Sequence, residues 1–459
     1  MLYRFKQFII LFGDLILLYL SLFLALLIRY QQHPWNRFSE LLSDFLPLFL
    51  IGAVIFYIAS LYDISKKRSW GELLQASLLS CLAWMFFGFA YFYFQQSPVG
   101  SPKTILFLTA VFYAFLTALW RQIHLHYLAK NVLNTKTIII GITPASLETA
   151  EILHREPERG YELCGFVEND PDKKLSSELS VYPVFSTISA LKEKCKKINL
   201  IVFCPENTGK EELAAEIYTE FFSGAGISNL SDFYEKLFGR LPPFVFSQTW
   251  FLNNLPEQEK KIYDRVKIIL DYGAAVLMGL FFIITFPIVA FLIKTTSQGP
   301  LFFTQTRTGI FGKSFKMYKY RTMRALNSDG SAETSGPQYA QKKDVRITAV
   351  GKFLRATRID EIPQFINILK NEMSLIGPRP ERPEFVEELI KALPYYRLRH
   401  LTKPGLTGWA QLHNSYYGSI EENLKKLEYD LYYIKHRSPM LDLMIILKTV
   451  AVVLKMMGR

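Results

Sequence analysis

Apolar residues run in long unbroken blocks through the first quarter of the chain. Residues 8–28, 44–62, 77–95 and 104–123 each approach the ~20 residues that cross a bilayer as a helix. The first block is long and lacks a small-residue cleavage site, so it reads as a retained span, not a cleaved signal. Lysine and arginine gather in alternate loops. Arg4 and Lys6 precede the first block; Lys66, Lys67 and Arg68 separate the second from the third; Arg121, Lys130 and Lys136 follow the fourth. The positive-inside rule then places the N-terminus, the middle loop and everything after the fourth span in the cytosol. Asp14 falls within the first span, where a charge is costly. It is expected near the interface or paired with a neighbouring helix, with a functional role as the alternative.

The pattern then changes to alternating strands and helices. TKTIIIGI (135–142), ELCGFVEND (162–170) and NLIVFCP (199–205) read as buried strands, and PASLETAEILHRE (144–156) as a helix with proline in its first turn. This order predicts a parallel, Rossmann-like sheet. Its first loop, Gly141-Ile-Thr-Pro-Ala-Ser, keeps only the first glycine of G-x-G-x-x-G. Thr143 and Ser146 fill the other two positions, where side chains obstruct a pyrophosphate. A structural or regulatory domain is expected, with nucleotide binding as the alternative.

The longest apolar run, residues 268–293, is flanked by positive charge on both sides: Lys260, Lys261, Arg265 and Lys267 before it, Lys294, Arg307, Lys313, Lys316 and Lys319 after it. Both ends therefore prefer the cytosolic face. Pro287 removes a backbone donor and offers a break. A helix that enters, bends and leaves on one face meets the charge pattern, and a plain kinked span is the other reading.

Two alternating segments around GIFGK (309–313) predict a hairpin. On its second arm Phe315, Met317, Lys319 and Arg321 share a face by the period of two, which sets Lys319 and Arg321 side by side for phosphate or for anionic lipid. Further on, Asp360 and Glu361 stand among Arg355, Arg358, Arg379 and Arg382. Pro363 suits the first turn of a helix through QFINILK, which puts both carboxylates at or before its N-terminus. Arginines around a carboxylate pair imply a bound phosphate, which guanidinium groups grip with two parallel hydrogen bonds. Mg²⁺ reconciles carboxylate with phosphate, and the second carboxylate is then free to attack phosphorus. Neighbouring helical residues point ~100° apart, so divided roles are expected. The residues alone point to phosphoryl-group chemistry with Mg²⁺ at a cytosolic membrane face.

The 459 residues allow two or three domains. A net charge of +12 fits nucleic acid, anionic membranes or phosphorylated substrates, and an apolar half makes the membrane the first suspect. Nucleic acid is not an expected partner. Cys81, Cys164, Cys195 and Cys204 show no C-x-x-C spacing and are read as reduced and structural, without a disulfide or zinc.

From about residue 262 onward the chain resembles the bacterial sugar transferases of the monotopic phosphoglycosyl transferase superfamily. The matching pieces come in order: KIILD, GPLFFTQTRTG, FKMYKYRTM, VGKFLRATRIDEIPQFINILKNEMSLIGPRPE, KPGLTGWAQ and YDLYYIKHRSPMLDLMIILKTV. The four spans and degenerate α/β domain are similar to its long form, the polyprenyl-phosphate hexose-1-phosphate transferases. The resemblance implies transfer of a hexose-1-phosphate from a UDP-sugar to undecaprenyl phosphate with release of UMP, starting a lipid-linked exopolysaccharide, capsule or O-antigen. It implies Asp360 as nucleophile, Glu361 as Mg²⁺ ligand, and Arg355, Arg379 and Arg321 as phosphate-binding residues; Lys319, Arg358 and Gln364 complete the expected phosphate- and substrate-binding set. Pro287 becomes the break of a re-entrant membrane helix, 266–293. The chain departs from the family pattern at Phe286-Pro287, where Ser-Pro is common, and at Lys267-Ile268, where Lys-Arg is usual.

The architecture expected is a membrane protein in three parts: four transmembrane helices (1–130), a degenerate Rossmann-like α/β domain (131–250) and a C-terminal α/β-type catalytic domain (256–459). The last part carries the re-entrant helix and interfacial amphipathic helices, including the terminal segment with Asp442, Lys448 and Lys455. Residues from about 256 are expected to keep some activity alone. The bacterial cytoplasmic membrane is the expected location, with the catalytic domain in the cytosol. Partners are the UDP-sugar, undecaprenyl phosphate and membrane lipids, with a homodimer left open. His400, His413 and His436 are read as structural. Three rival readings remain: a membrane-bound nucleotide-sugar dehydratase or epimerase, a conventional glycosyltransferase that releases UDP, and a non-catalytic scaffold for polysaccharide assembly.

Overall fold

The computed structural model describes residues 2–30, 34–63, 68–95, 103–124, 134–168, 182–195, 197–204, 211–255, 260–325, 346–393, 395–413 and 419–454. Lys66, Lys67, Lys130 and Lys455, used above to read charge, lie outside them, as do residues 169–170 and 205 of two expected strands. The chain divides into two compact units, Met1–Phe233 and Tyr234–Arg459.

The first unit begins with helices α1 (Leu2–Arg29), α2 (Pro34–Leu41), α3 (Phe45–Ile58), α4 (Trp70–Gln95) and α5 (Lys103–Ile123). α1, α4 and α5 are each long and apolar enough to cross a membrane, and the protein is a membrane protein. The block at 44–62 behaves differently. It yields the 14-residue α3, which meets α2 at a 67° bend. Ser43 and Asp44 occupy that bend, and residues of this kind favour caps and turns over helix interiors. Asp14 is paired, as one reading expected. Arg121 of α5 donates to both of its carboxylate oxygens, at 3.0 and 2.8 Å, and both side chains are buried. An unpaired charge there would carry a desolvation cost of several kcal/mol, so the pair fastens α1 to α5.

The same unit holds β1 (Thr135–Ile140), α6 (Pro144–Arg155), β2 (Tyr161–Val167), β3 (Val184–Phe185), α7 (Ile188–Lys194), β4 (Leu200–Phe203), α8 (Glu211–Phe222) and β5 (Gly226–Asn229). The strands form one parallel sheet in the order β3-β2-β1-β4-β5. Ile138, Ile140, Val167 and Ile201 fill its core, as buried parallel strands require. The reading of all four cysteines as reduced is corrected here. Cys164 of β2 and Cys195, which closes α7, form a disulfide, with Cα atoms 6.2 Å apart. Their 31-residue separation carries no local signal; α7 packs back on β2 and brings them together. Cys81 and Cys204 are buried and form no disulfide.

The second unit contains α9 (Leu230–Phe238) from Tyr234 onward, α10 (Gln248–Asn254), α11 (Lys261–Thr296), the antiparallel hairpin β6 (Phe302–Thr308) and β7 (Ser314–Tyr320), and α12 (Ala349–Ala356). A short 3-10 helix (Ile359–Gln364) leads into α13 (Phe365–Leu369) and β8 (Ser374–Ile376). Then come α14 (Pro383–Ala392), a second 3-10 helix (Tyr396–Leu401), β9 (Gly405–Thr407), α15 (Trp409–His413), α16 (Ile420–His436) and α17 (Pro439–Leu454). The second compact unit begins at Tyr234, ahead of the expected start at 256. Leu241 and Phe251 are buried with Leu427, Leu431 and Ile434 of α16, and Arg240 forms a buried ion pair with Glu428.

α11 is helical at every position from Lys261 to Thr296, so the interruption expected at Pro287 is not seen as an end of the helix. Helices accept proline when neighbours and side chains re-satisfy the freed carbonyl, at the cost of one backbone bond. Its apolar surface is largely uncovered, with Ile283, Ile284, Ile288 and Phe291 all exposed. On α17, Asp442 faces protein and not lipid. It accepts from Tyr263 (2.7 Å), Lys267 (2.8 Å) and Tyr433 (2.9 Å).

Candidate active site

The acidic pair sits inside the 3-10 helix Ile359–Gln364, which runs directly into the α-helix that starts at Phe365. Pro363 falls within this tighter turn, and the α-helical geometry starts only at Phe365. Arg358, immediately before, has φ 59°, a left-handed conformation that costs a non-glycine residue on the order of 1 kcal/mol. That turn aims its guanidinium back at the segment it precedes.

Glu361 collects three cations. Lys319 of β7 donates to Oε1 at 2.7 Å and Arg379 to the same oxygen at 3.3 Å, while Arg358 donates to Oε2 at 3.2 Å. Burial pushes the Glu361 carboxyl up, but Lys319, Arg379 and Arg358 outweigh it and hold it well below the usual carboxylate range. Asp360 has the opposite setting. It is 7 % exposed, and its Oδ1 has no hydrogen-bond partner. Burial raises its carboxyl above the usual aspartate value, the charge of Glu361 adds to the rise, and Lys319, Arg355 and Arg358 oppose it. Two adjacent carboxylates therefore differ in partner and in proton affinity. Burial likewise lowers the Lys319 ammonium, against the pull of Glu361.

The other candidate residues divide. Arg355, on α12, donates to Thr322 Oγ1 at 2.8 Å. Gly351 lets α12 lie against Thr322, since a Cβ there would strike the Thr322 carbonyl. Gln364 is buried in the same 3-10 helix as the pair, and its Nε2 has no partner. Arg321 parts company with Lys319. β7 ends at Tyr320, and the buried Arg321 guanidinium donates to the carbonyls of Ser297 and Gln298, just past the end of α11. The side-by-side placement expected from the period of two fails because the strand ends one residue too soon. Arg382 bonds Glu384 at 3.4 Å. His413 Nδ1 donates to the Trp409 carbonyl at 2.9 Å and the ring stacks on Tyr429, in keeping with a structural histidine.

Sequence reading missed Asn367. Its Oδ1 accepts from Tyr318 N (3.2 Å) and its Nδ2 donates to Lys316 O and Glu372 Oε2 (both 2.7 Å), which seats β7 against the pair. A buried asparagine with three satisfied bonds leaves no periodic signal.

Mg²⁺ suits this donor set. It takes one or two carboxylates and completes its shell with water and substrate phosphates. Among the described residues no cluster of three His, Cys, Asp or Glu makes an all-protein cage. Three cations leave about one of the four acceptor positions of Glu361 open, and Asp360 Oδ1 has no partner.

The Rossmann-like loop is self-satisfied. Gly141 N donates to Val167 O (3.0 Å) and Ile142 N to the buried Glu168 Oε2 (3.0 Å). Thr143 and Ser146 cap each other, at 2.8 and 3.2 Å. The amides that would hold a pyrophosphate are already engaged.

Comparison with known proteins identifies the family. Residues 262–456 match the family model described as bacterial sugar transferase. A UDP-N-acetylgalactosamine-undecaprenyl-phosphate N-acetylgalactosaminephosphotransferase of Aeromonas hydrophila is 43% identical over 197 residues, 43% of this chain and 45% of the relative. A UDP-glucose:undecaprenyl-phosphate glucose-1-phosphate transferase of Klebsiella pneumoniae is 31% identical over 322 residues, 68% of this chain and 66% of the relative. One of the same name from Caulobacter vibrioides is 38% identical over 191 residues, 41% and 69% respectively. The chain thus covers less than two thirds of the first two relatives, yet the Klebsiella match reaches well beyond the sugar-transferase region. The chain belongs to the bacterial sugar transferase family, in its long form.

Proposed function

We propose that this protein transfers a sugar-1-phosphate from a UDP-sugar to undecaprenyl phosphate and releases UMP. The observation that carries the reading is the contrast within one pair: Glu361 held ionised by three cations, and Asp360 buried beside it with a free oxygen. A carboxylate left out of ion pairs in a cationic setting is a nucleophile for phosphorus. Asp360 attacks the β-phosphorus of the UDP-sugar. The bond from that phosphorus to the bridging oxygen breaks, and UMP leaves with the oxygen and its electron pair. A phosphate oxygen of undecaprenyl phosphate then attacks the same phosphorus, forms the lipid diphosphosugar and returns Asp360 as carboxylate.

Lys319, Arg358 and Arg379 neutralise Glu361 and line the approach for the diphosphate, with Arg355 and Gln364 as further donors. Arg321 is left out of this set, because its guanidinium serves backbone carbonyls. Mg²⁺, held by Glu361, would offset the charge of the diphosphate. The catalytic unit would lie on the cytosolic face of the bacterial cytoplasmic membrane, with α11 re-entrant, since both its flanks are cationic. The engaged loop at 141–146 weighs against a dinucleotide-dependent dehydratase or epimerase.

Membranes containing the full chain, Mg²⁺, undecaprenyl phosphate and a panel of UDP-sugars test the reading. Release of UMP from one sugar, lost in Asp360→Asn, supports it and names the substrate. Release of UDP contradicts it, and so does unchanged turnover in Asp360→Asn.

A further inference from the structure

Arg379 stands on an unusually determined stretch of backbone. Pro378 and Pro380 supply no N–H groups, so this loop has little means of bonding to itself. Each of four successive carbonyls instead accepts a donor from elsewhere. Pro378 O takes Gly405 N at 2.9 Å, Arg379 O takes Arg399 Nη2 at 2.8 Å, Pro380 O takes Arg307 Nη1 at 3.2 Å, and Glu381 O takes Thr308 N at 2.8 Å.

The donor to Arg379 differs from the rest. Arg399 is 1 % exposed and its partner Asp430 is 2 % exposed. Its Nε and Nη2 both reach Asp430 Oδ2, at 3.0 and 2.8 Å, and Nη1 reaches the Tyr396 hydroxyl at 3.1 Å. The planar guanidinium is thereby fixed on three sides. Burying such a pair costs desolvation, and apolar side chains of similar volume would be as stable or more so. Stability alone therefore does not account for it, and geometry does: the fork spans from α16 to the one carbonyl whose own side chain meets Glu361.

We propose that Arg399, held by Asp430, is a positioning residue that sets Arg379 for the phosphates of the sugar donor. This rests on the transferase reading only in taking the anion met by Arg379 to be a phosphate.

A double-mutant cycle on the full chain tests it. Arg399→Lys keeps the charge but cannot span Asp430 and the Arg379 carbonyl with a planar fork. Expected is a loss of about tenfold in kcat/KM for nucleotide release, mainly through KM, with the unfolding temperature within a few degrees of wild type. In the Arg379→Ala background the same substitution should cost nothing further. Equal losses in both backgrounds, or no loss in either, overturn the proposal. If Arg399→Lys does not fold, Tyr396→Phe carries the same cycle, with a loss of about two- to threefold expected and the same criteria. Nucleotide release is read whether UMP or UDP appears, and affinity for UDP gives the cycle without turnover. Failure here is thus separable from failure of the transferase reading.

Discussion

Lys319 Nζ lies 2.7 Å from Glu361 Oε1, and this contact joins the β6–β7 hairpin to the helix that carries the acidic pair. Lys319 is the first of the cations that hold Glu361 ionised. Replacing it with methionine leaves a buried carboxylate to two partly exposed arginines. Lys319→Met should lower kcat/KM on the order of 10²-fold, the scale seen when one preorganised donor is lost. Steady-state kinetics decide it, and a rate within about threefold of wild type contradicts the role.

In the proposed reaction Asp360 must be ionised to attack phosphorus, yet burial and then Glu361 hold its carboxyl above the ordinary range. The acid limb of kcat/KM should therefore sit at a higher pH than an ordinary aspartate would give. Arg355 opposes the rise. Arg355→Ala should move the limb to still higher pH, while Arg355→Lys leaves it near wild type. A pH–rate profile in which the limb moves down, or stays fixed in the alanine variant, contradicts this electrostatic account.

Glu381 shifts the other way and bears on stability. Burial favours its proton, but Lys426, Arg307 and Arg399 outweigh that and bring it from 4.5 to about 2. A lowered folded value means stability that is present above 4.5 and lost as the pH falls through the ordinary value toward about 2. Glu381→Gln should therefore flatten the fall in unfolding temperature between about pH 5 and 3. Thermal unfolding of both proteins across that range is the check.

Residues 234–255 belong to the catalytic core by their contacts. Glu235 accepts from Lys435 at 2.7 Å and meets His436 at 2.8 Å, Arg240 pairs with Glu428, and Leu241 and Phe251 are buried. A chain starting at 256 loses all of these, including the Arg240 partner of the buried Glu428, a destabilisation on the order of 5 kcal/mol. That rivals the whole stability of an ordinary domain. A chain starting at Leu230 should fold and turn over substrate; one starting at 256 should do neither. Equal activity of the two truncations would restore the boundary read from sequence.

Local patterns were legible and partner choices were not. The strands at 135–140, 161–167 and 200–203, the helix at Pro144 and the hairpin around GIFGK follow from period and turn chemistry. Divided settings for Asp360 and Glu361 followed from their adjacency. The fate of Arg321 did not, because it depends on where β7 stops and where the end of α11 lies. Long-range pairs such as Cys164 with Cys195, Arg240 with Glu428 and Arg399 with Asp430 join residues 31 to 188 positions apart. No window of sequence contains both members, so only the folded chain reveals them.

The central claim is that Asp360 bonds to phosphorus. The direct measurement mixes the full chain, Mg²⁺ and its UDP-sugar without undecaprenyl phosphate, then weighs the peptide that carries residue 360. The account predicts a phosphosugar adduct on Asp360, one UMP released per adduct, and disappearance of the adduct when undecaprenyl phosphate is added. UMP release that begins only with the lipid acceptor, with an unmodified Asp360 throughout, would contradict it.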